Sequence, residues 1–209
     1  MRLAVERLLA RADFGFVSPS RMGYSEGDAG ARMHEKTISQ KSLYKGRILG
    51  LEVQEVELAN GKMAFREIIR HRGAVAVLVR APDGRFALVR QFRKPVELEM
   101  LEVVAGNREA NEEAESCARR ELQEETGFVA ATIRYLGYIY PSPGYVDERI
   151  DLFYAEATEP AGMTDPDEDE HLDVVLLDRN EITERIRRGE IHDSKTLATW
   201  LLFEKVVGV

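Results

Sequence analysis

This chain has a single cysteine, a single tryptophan and no long apolar run, and most of these scarcities exclude something. Cys117 alone cannot close an intramolecular disulfide, so the core must hold the fold, and a reducing, cytoplasmic setting is expected. No stretch approaches the ~18 apolar residues of a membrane helix, so no membrane partner is expected. Arg2, Glu6 and Arg11 interrupt the apolar residues between Leu3 and Ala10, which argues against a secretory leader. Positive charge is also scarce: 29 Lys and Arg face 37 Asp and Glu, a formal net charge of -8. Nonspecific nucleic-acid binding rests on cations neutralising phosphates, so nucleic acid is not an expected partner.

What is present is ordinary in bulk and unusual in one place. With 209 residues, 44% of them hydrophobic and 32% charged, the chain can build one well-buried core. Between Gly106 and Phe128 lies a short acidic helix in which Glu121, Glu124 and Glu125 crowd one face. Like-charged neighbours at such spacings cost roughly 0.2 to 0.5 kcal/mol each, so something must offset their repulsion. Hard divalent cations do so, because they accept several carboxylate oxygens and bridge protein to phosphate. The bland alternative is an acidic amphipathic helix with Ala114, Cys117, Ala118 and Leu122 turned to a core. It explains the charge but not the spacing.

Strand patterns surround that helix. Residues 48–58 and 62–70 flank Asn60-Gly61, the strongest short hairpin signal, and residues 74–79 and 86–89 flank the turn Pro82-Asp83-Gly84. Asn111 is the expected N-cap of the acidic helix and Gly127 its stop. Residues 132–138, 150–157 and 172–177 read as further strands, and residues 194–207 as a closing helix capped by Asp193 or Ser194. The expectation is an α/β/α sandwich with a mixed sheet and an N-terminal antiparallel sheet. Its divisions are an extension over residues 1–32, N-terminal strands over 33–70 and a catalytic domain over 71–209. For the extension two readings stay open: packing on the body or a partner subunit, or a flexible leader.

Gly106, Glu112, Arg120, Glu121, Leu122, Glu124, Glu125, Gly127 and Phe128 match every fixed position of the signature of the Nudix hydrolases, and the chain resembles that superfamily. Pro141-Ser142-Pro143-Gly144-Tyr145 with Asp147-Glu148, Arg66-Glu67-Ile68-Ile69, and Gln91-Phe92-Arg93 before Leu101 to Gly106 resemble its ADP-ribose pyrophosphatase branch. The resemblance spans about residues 34 to 206. It implies Mg²⁺-dependent hydrolysis of a nucleoside diphosphate sugar, with Mn²⁺ as a substitute. ADP-ribose, giving AMP and ribose 5-phosphate, is the expected substrate. GDP-mannose, CDP-alcohols and a non-catalytic nucleotide-sugar sensor are the alternatives.

Site roles follow from the same resemblance. Glu121, Glu124, Glu125 and the carbonyl of Ala105 are the expected metal ligands. The run Asp165-Pro166-Asp167-Glu168-Asp169-Glu170 reads by itself as a solvated charged loop, but the resemblance makes Glu168 the expected general base and Glu170 a further ligand. Arg66 and Glu67 match positions that contact the nucleobase from a neighbouring subunit, which requires a homodimer with exchanged strands. From chemistry alone, Arg93 is the best phosphate or terminal-sugar contact, since a guanidinium grips two phosphate oxygens at once. Ser142 and Gly144 are expected to shape the pocket through their backbones, while Tyr145 either stacks on a ring or packs. Glu112 and Arg120 are expected to form an ion pair tying loop to helix. His34, His71, His171 and His192 show no metal-ligand spacing.

Overall fold

The computed structural model describes residues 34–158 and 172–207, so the extension over residues 1–32 and the loop carrying Glu168 and Glu170 lie outside the described residues. Three strands come first: β1 (Lys36–Lys45), β2 (Leu49–Glu57) and β3 (Met63–His71) form an antiparallel sheet in the order β1-β2-β3. The expected Asn60-Gly61 hairpin joins the last two. There the Leu58 N–H donates to the Lys62 carbonyl at 2.8 Å, and Asn60 Oδ1 accepts from the Lys62 N–H at 3.1 Å. The strand-like pattern begins near residue 47, yet the sheet begins at Lys36. Every residue of β1 is exposed, and a strand with no buried face has no alternation to read.

The larger sheet contains β4 (Ala74–Arg80), β5 (Phe86–Arg93), β6 (Leu98–Glu102), β7 (Val104–Asn107), β8 (Val129–Ile139), β9 (Ile150–Thr158) and β10 (Asp173–Leu177). Its order is β10-β5-β4-β9-β8, with β6 on β5 and β7 on β4, and β4 and β9 run parallel. The apolar run of β4 is explained by burial on both faces. Ala74, Ala76 and Leu78 join one core cluster with Trp200 and Phe203 of the helix α3 (Ser194–Val206). Val75, Val77 and Val79 join the opposite cluster with Cys117, Ala118 and Leu122 of the helix α1 (Ala114–Thr126). Helices therefore cover both faces, and the α/β/α expectation is met. A helix the sequence reading lacked, α2 (Arg179–Arg187), buries only Ile182. Its legible signal is the capping box between Asp178 and Glu181.

One irregularity in the sheet makes room for chemistry. Strands β4 and β5 pair only at Val79↔Ala87 and Arg80↔Phe86, then separate. Along β4 the gap is taken by β7, from Val77↔Val104 to Ala74↔Asn107, and along β5 by β6, from Val89↔Glu102 to Arg93↔Leu98. The break between β6 and β7 is the single residue Val103, whose N–H donates to Thr196 Oγ1 of α3 at 2.9 Å. The segment 101–106 thus turns from one side of the splayed strands to the other and places Ala105 and Gly106 beside α1. Among the described residues no helix is long and apolar enough to cross a membrane.

Candidate active site

The acidic helix starts two residues later than expected. Its N-cap is Glu113, with no side-chain cap, and Asn111 instead adopts a left-handed φ of 64° within a tight turn. Tertiary pairing explains the shift. The Glu112 carboxylate accepts from the Glu109 N–H at 2.9 Å and from Arg120, which folds residues 109–112 back over the helix before it can begin. At the other end Gly127 stops the helix with a φ of 72° and an N–H bond to the Gln123 carbonyl at 2.8 Å, as the spacing predicts.

Glu112 and Arg120 form the expected pair: Arg120 Nε reaches Oε1 at 3.0 Å and Nη2 reaches Oε2 at 3.1 Å. Arg120 also touches Glu121 Oε1 at 2.8 Å and Glu124 Oε2 at 2.9 Å, so part of the repulsion in the acidic cluster is offset by this one guanidinium. Its hydrogen bonds hold the Glu112 carboxyl at about 2, against an ordinary 4.5. A carboxylate depressed in the folded state stabilises above its unfolded pKa and loses that contribution as pH falls through the folded one. Wild type is therefore expected to lose thermal stability faster than Glu112→Gln between pH 4.5 and about 2. Parallel melting-temperature curves would show that the pair adds nothing. Burial, with Glu112 nearby, pushes the Cys117 thiol up to about 12, which leaves it a packing residue rather than a nucleophile.

Opposite α1, Gly106 is a contact point rather than a hinge. A Cβ placed there would lie 1.9 Å from Cδ and 2.0 Å from Oε1 of Glu121, so the carboxylate occupies the space a side chain would need. Ala105, Gly106, Glu121, Glu124 and Glu125 line one cleft of about 620 Å³ together with Arg93. Glu125 is 4% exposed. Among the described residues, no three His, Cys, Asp or Glu side chains already sit in a metal-holding arrangement, and Arg120 engages Glu121 and Glu124. The donor set is nevertheless all oxygen, three carboxylates and a backbone carbonyl, and the glycine cradle holds one carboxylate against the strand. That chemistry fits a hard divalent cation.

The remaining predicted residues separate into groups. Arg93 lines the cleft and forks onto Glu102 at 2.8 and 2.7 Å. Burial pushes the Glu102 carboxyl up, but Arg93 and Lys195 outweigh it and hold it below the usual range. Arg66, Glu67 and Gly144 line a second cleft of about 500 Å³ with Tyr140 and Tyr145, and Arg66 is paired there with Glu35 at 2.9 Å. Ser142 accepts from the Val146 N–H at 3.0 Å and shapes its loop, lining neither cleft. Tyr145 is 57% exposed, so it does not pack in the core. Sequence reasoning missed Asp193 and Lys195 in the cleft lining and Glu102 behind Arg93, and no local pattern marks them. It also missed His71, at the cleft edge with Glu148 3.6 Å away.

A mixed sheet between two helical layers, with a carboxylate-bearing helix laid against a glycine at a strand end, defines an α/β/α protein whose cleft is lined by carboxylates and guanidinium groups. Residues 70–200 match the NUDIX domain family. The ADP-ribose pyrophosphatase of Bacillus subtilis (strain 168) is 39% identical over 165 residues, 78% of this chain and 89% of that protein. A methanol dehydrogenase activator of Bacillus methanolicus is 38% identical over 169 residues, 80% of this chain and 91% of its own length. A crystal structure of an ADP compounds hydrolase superposes with a TM-score of 0.72 at 20% identity, covering 84% of this chain and 97% of that one, which speaks for the fold. The chain belongs to the Nudix family.

Proposed function

We propose that this Nudix pyrophosphohydrolase splits the diphosphate linkage of a nucleoside diphosphate sugar, ADP-ribose first, into AMP and ribose 5-phosphate. The observation that carries the reading is the shared cleft: Ala105, Gly106, Glu121, Glu124 and Glu125 on one side and the Arg93 guanidinium on another. The name of the Bacillus subtilis relative favours ADP-ribose over GDP-mannose or CDP-alcohols. Glu121, Glu124, Glu125 and the Ala105 carbonyl would hold Mg²⁺, or Mn²⁺ in its place. When bound, such a cation supplies charge neutralisation at phosphoryl oxygens and a more acidic bound water.

The protein's own groups do the rest. Arg93 takes phosphate oxygens, an anion-binding role a bidentate guanidinium suits. Arg120 and Glu112 fix the approach to α1 so that Glu121 stays against Gly106. Glu168 accepts the proton of the attacking water and Glu170 adds a further oxygen ligand, both assigned from the sequence. The protein acts in the cytoplasm as a homodimer, in which Arg66 and Glu67 of one protomer serve the nucleobase of its partner. Exposed Met63 and Phe65 on the N-terminal sheet, the latter 70% accessible, support that association.

The test is a panel of nucleoside diphosphate sugars with Mg²⁺ and with EDTA, products analysed after reaction in ¹⁸O water. Fastest turnover of ADP-ribose, none in EDTA and a single labelled phosphate product are expected. Binding of nucleotide sugars without turnover would favour a sensor instead.

A further inference from the structure

Among the described residues Glu102 is the most deeply buried carboxylate, at 0% exposure, and it ends β6 beside the Val103 break. Both oxygens meet cations: Arg93 forks onto them at 2.8 and 2.7 Å, and Lys195 Nζ also bonds Oε2. Lys195 is 9% exposed and lies 3.1 Å from Asp193, which caps α3 by accepting from the Thr196 N–H at 2.9 Å. The start of α3 is therefore clamped to the strand that leads to Ala105 and Gly106.

For stability alone this is a poor arrangement. A buried ion cluster pays a large desolvation cost, and apolar residues of similar volume often do as well or better. Val103 on one side belongs to the core and Leu101 on the other packs against it. The cluster does, however, orient Arg93. A guanidinium carries five N–H groups in one plane, and the fork onto Glu102 uses two of them. The rest remain for the cleft, which the Arg93 side chain lines while 38% exposed. An unanchored Arg93 would be drawn towards the carboxylate of Glu125, which lines the same cleft.

We propose that Glu102 and Lys195 are positioning residues, which pre-orient the Arg93 guanidinium towards a phosphate oxyanion of the diphosphate and keep it off the acidic cluster. The inference rests on the phosphate-binding reading of Arg93 and deepens it.

The experiment measures kcat and KM for ADP-ribose at saturating Mg²⁺ in wild type, Arg93→Lys, Glu102→Gln and the double variant. Arg93→Lys is expected to raise KM roughly tenfold or more, since lysine cannot reproduce the fork. Glu102→Gln is expected to raise KM about tenfold with kcat within about threefold, and to add less than about twofold once Arg93 is Lys. A merely structural Glu102 would cost the same factor in both backgrounds, which overturns the proposal, as does an unchanged KM in Glu102→Gln. Should Glu102→Gln fail to fold, Lys195→Gln in the same two backgrounds is scored by the same rule. A wild type without turnover, or an Arg93→Lys variant with normal KM, sinks the substrate reading along with this inference. A silent Glu102→Gln beside an impaired Arg93→Lys sinks this inference alone.

Discussion

Glu125→Gln is expected to lower kcat by about a thousandfold or more at saturating Mg²⁺, the loss that removal of a key electrostatic contact in a catalytic site produces. Glu125 is 4% exposed on the buried side of α1, so its charge acts at low dielectric. Glutamine keeps the volume but offers one carbonyl oxygen and an amide that repels a cation. Removing a buried charge also removes its desolvation cost, so the melting temperature should stay level or rise. Steady-state kinetics over a Mg²⁺ titration, paired with a thermal melt, separates the two effects. A variant within tenfold of the wild-type rate and with the wild-type Mg²⁺ dependence would take Glu125 out of the metal site.

Gly106→Ala is expected to be nearly as damaging, although it adds one methyl group. The new Cβ would fall 1.9 Å from Glu121 Cδ and 2.2 Å from Oε2, far inside van der Waals contact, so the carboxylate must leave the strand. Glu121 is the far end of a flexible side chain, and the fold survives its displacement. The place proposed for it at the cation does not. The expected result is a drop in kcat/KM of roughly a hundredfold, with a higher Mg²⁺ concentration needed for half-maximal rate. Wild-type kinetics in Gly106→Ala would show that Glu121 does not work from this place. A variant that lost activity by unfolding would instead show a collapsed melting temperature.

The contrast between these two positions and Lys195 shows what could be read in advance. Glu125 and Gly106 belong to one contiguous stretch with fixed spacing, so helix periodicity and signature both locate them. The Glu112–Arg120 pair was legible for the same reason, whereas the start of α1 was misplaced at Asn111 because a capping preference of about 1 kcal/mol is overridden by that pair. Strands β4 and β9 stood out because burial on both faces leaves long apolar runs. Strand β1 gave no signal, being exposed along its whole length. The short strands β6 and β7 were hidden because they are one run of sequence broken at Val103 by pairing with two different neighbours.

From the amino-acid order alone came the Nudix family, the α/β/α class and the acidic helix with its glycine stop. The helix and its stop depend on contacts within a few residues, where spacing dictates geometry, while the family was read from a spaced signature and the class from the order of strand and helix patterns. Only the three-dimensional arrangement decided that Glu121 rests on Gly106 and that Glu102 is shared by Arg93 and Lys195, with 93 positions separating Glu102 from Lys195. Such pairings depend on how β4 and β5 splay and how α3 docks at the gap. Those are properties of packing between distant segments, and no local pattern encodes them.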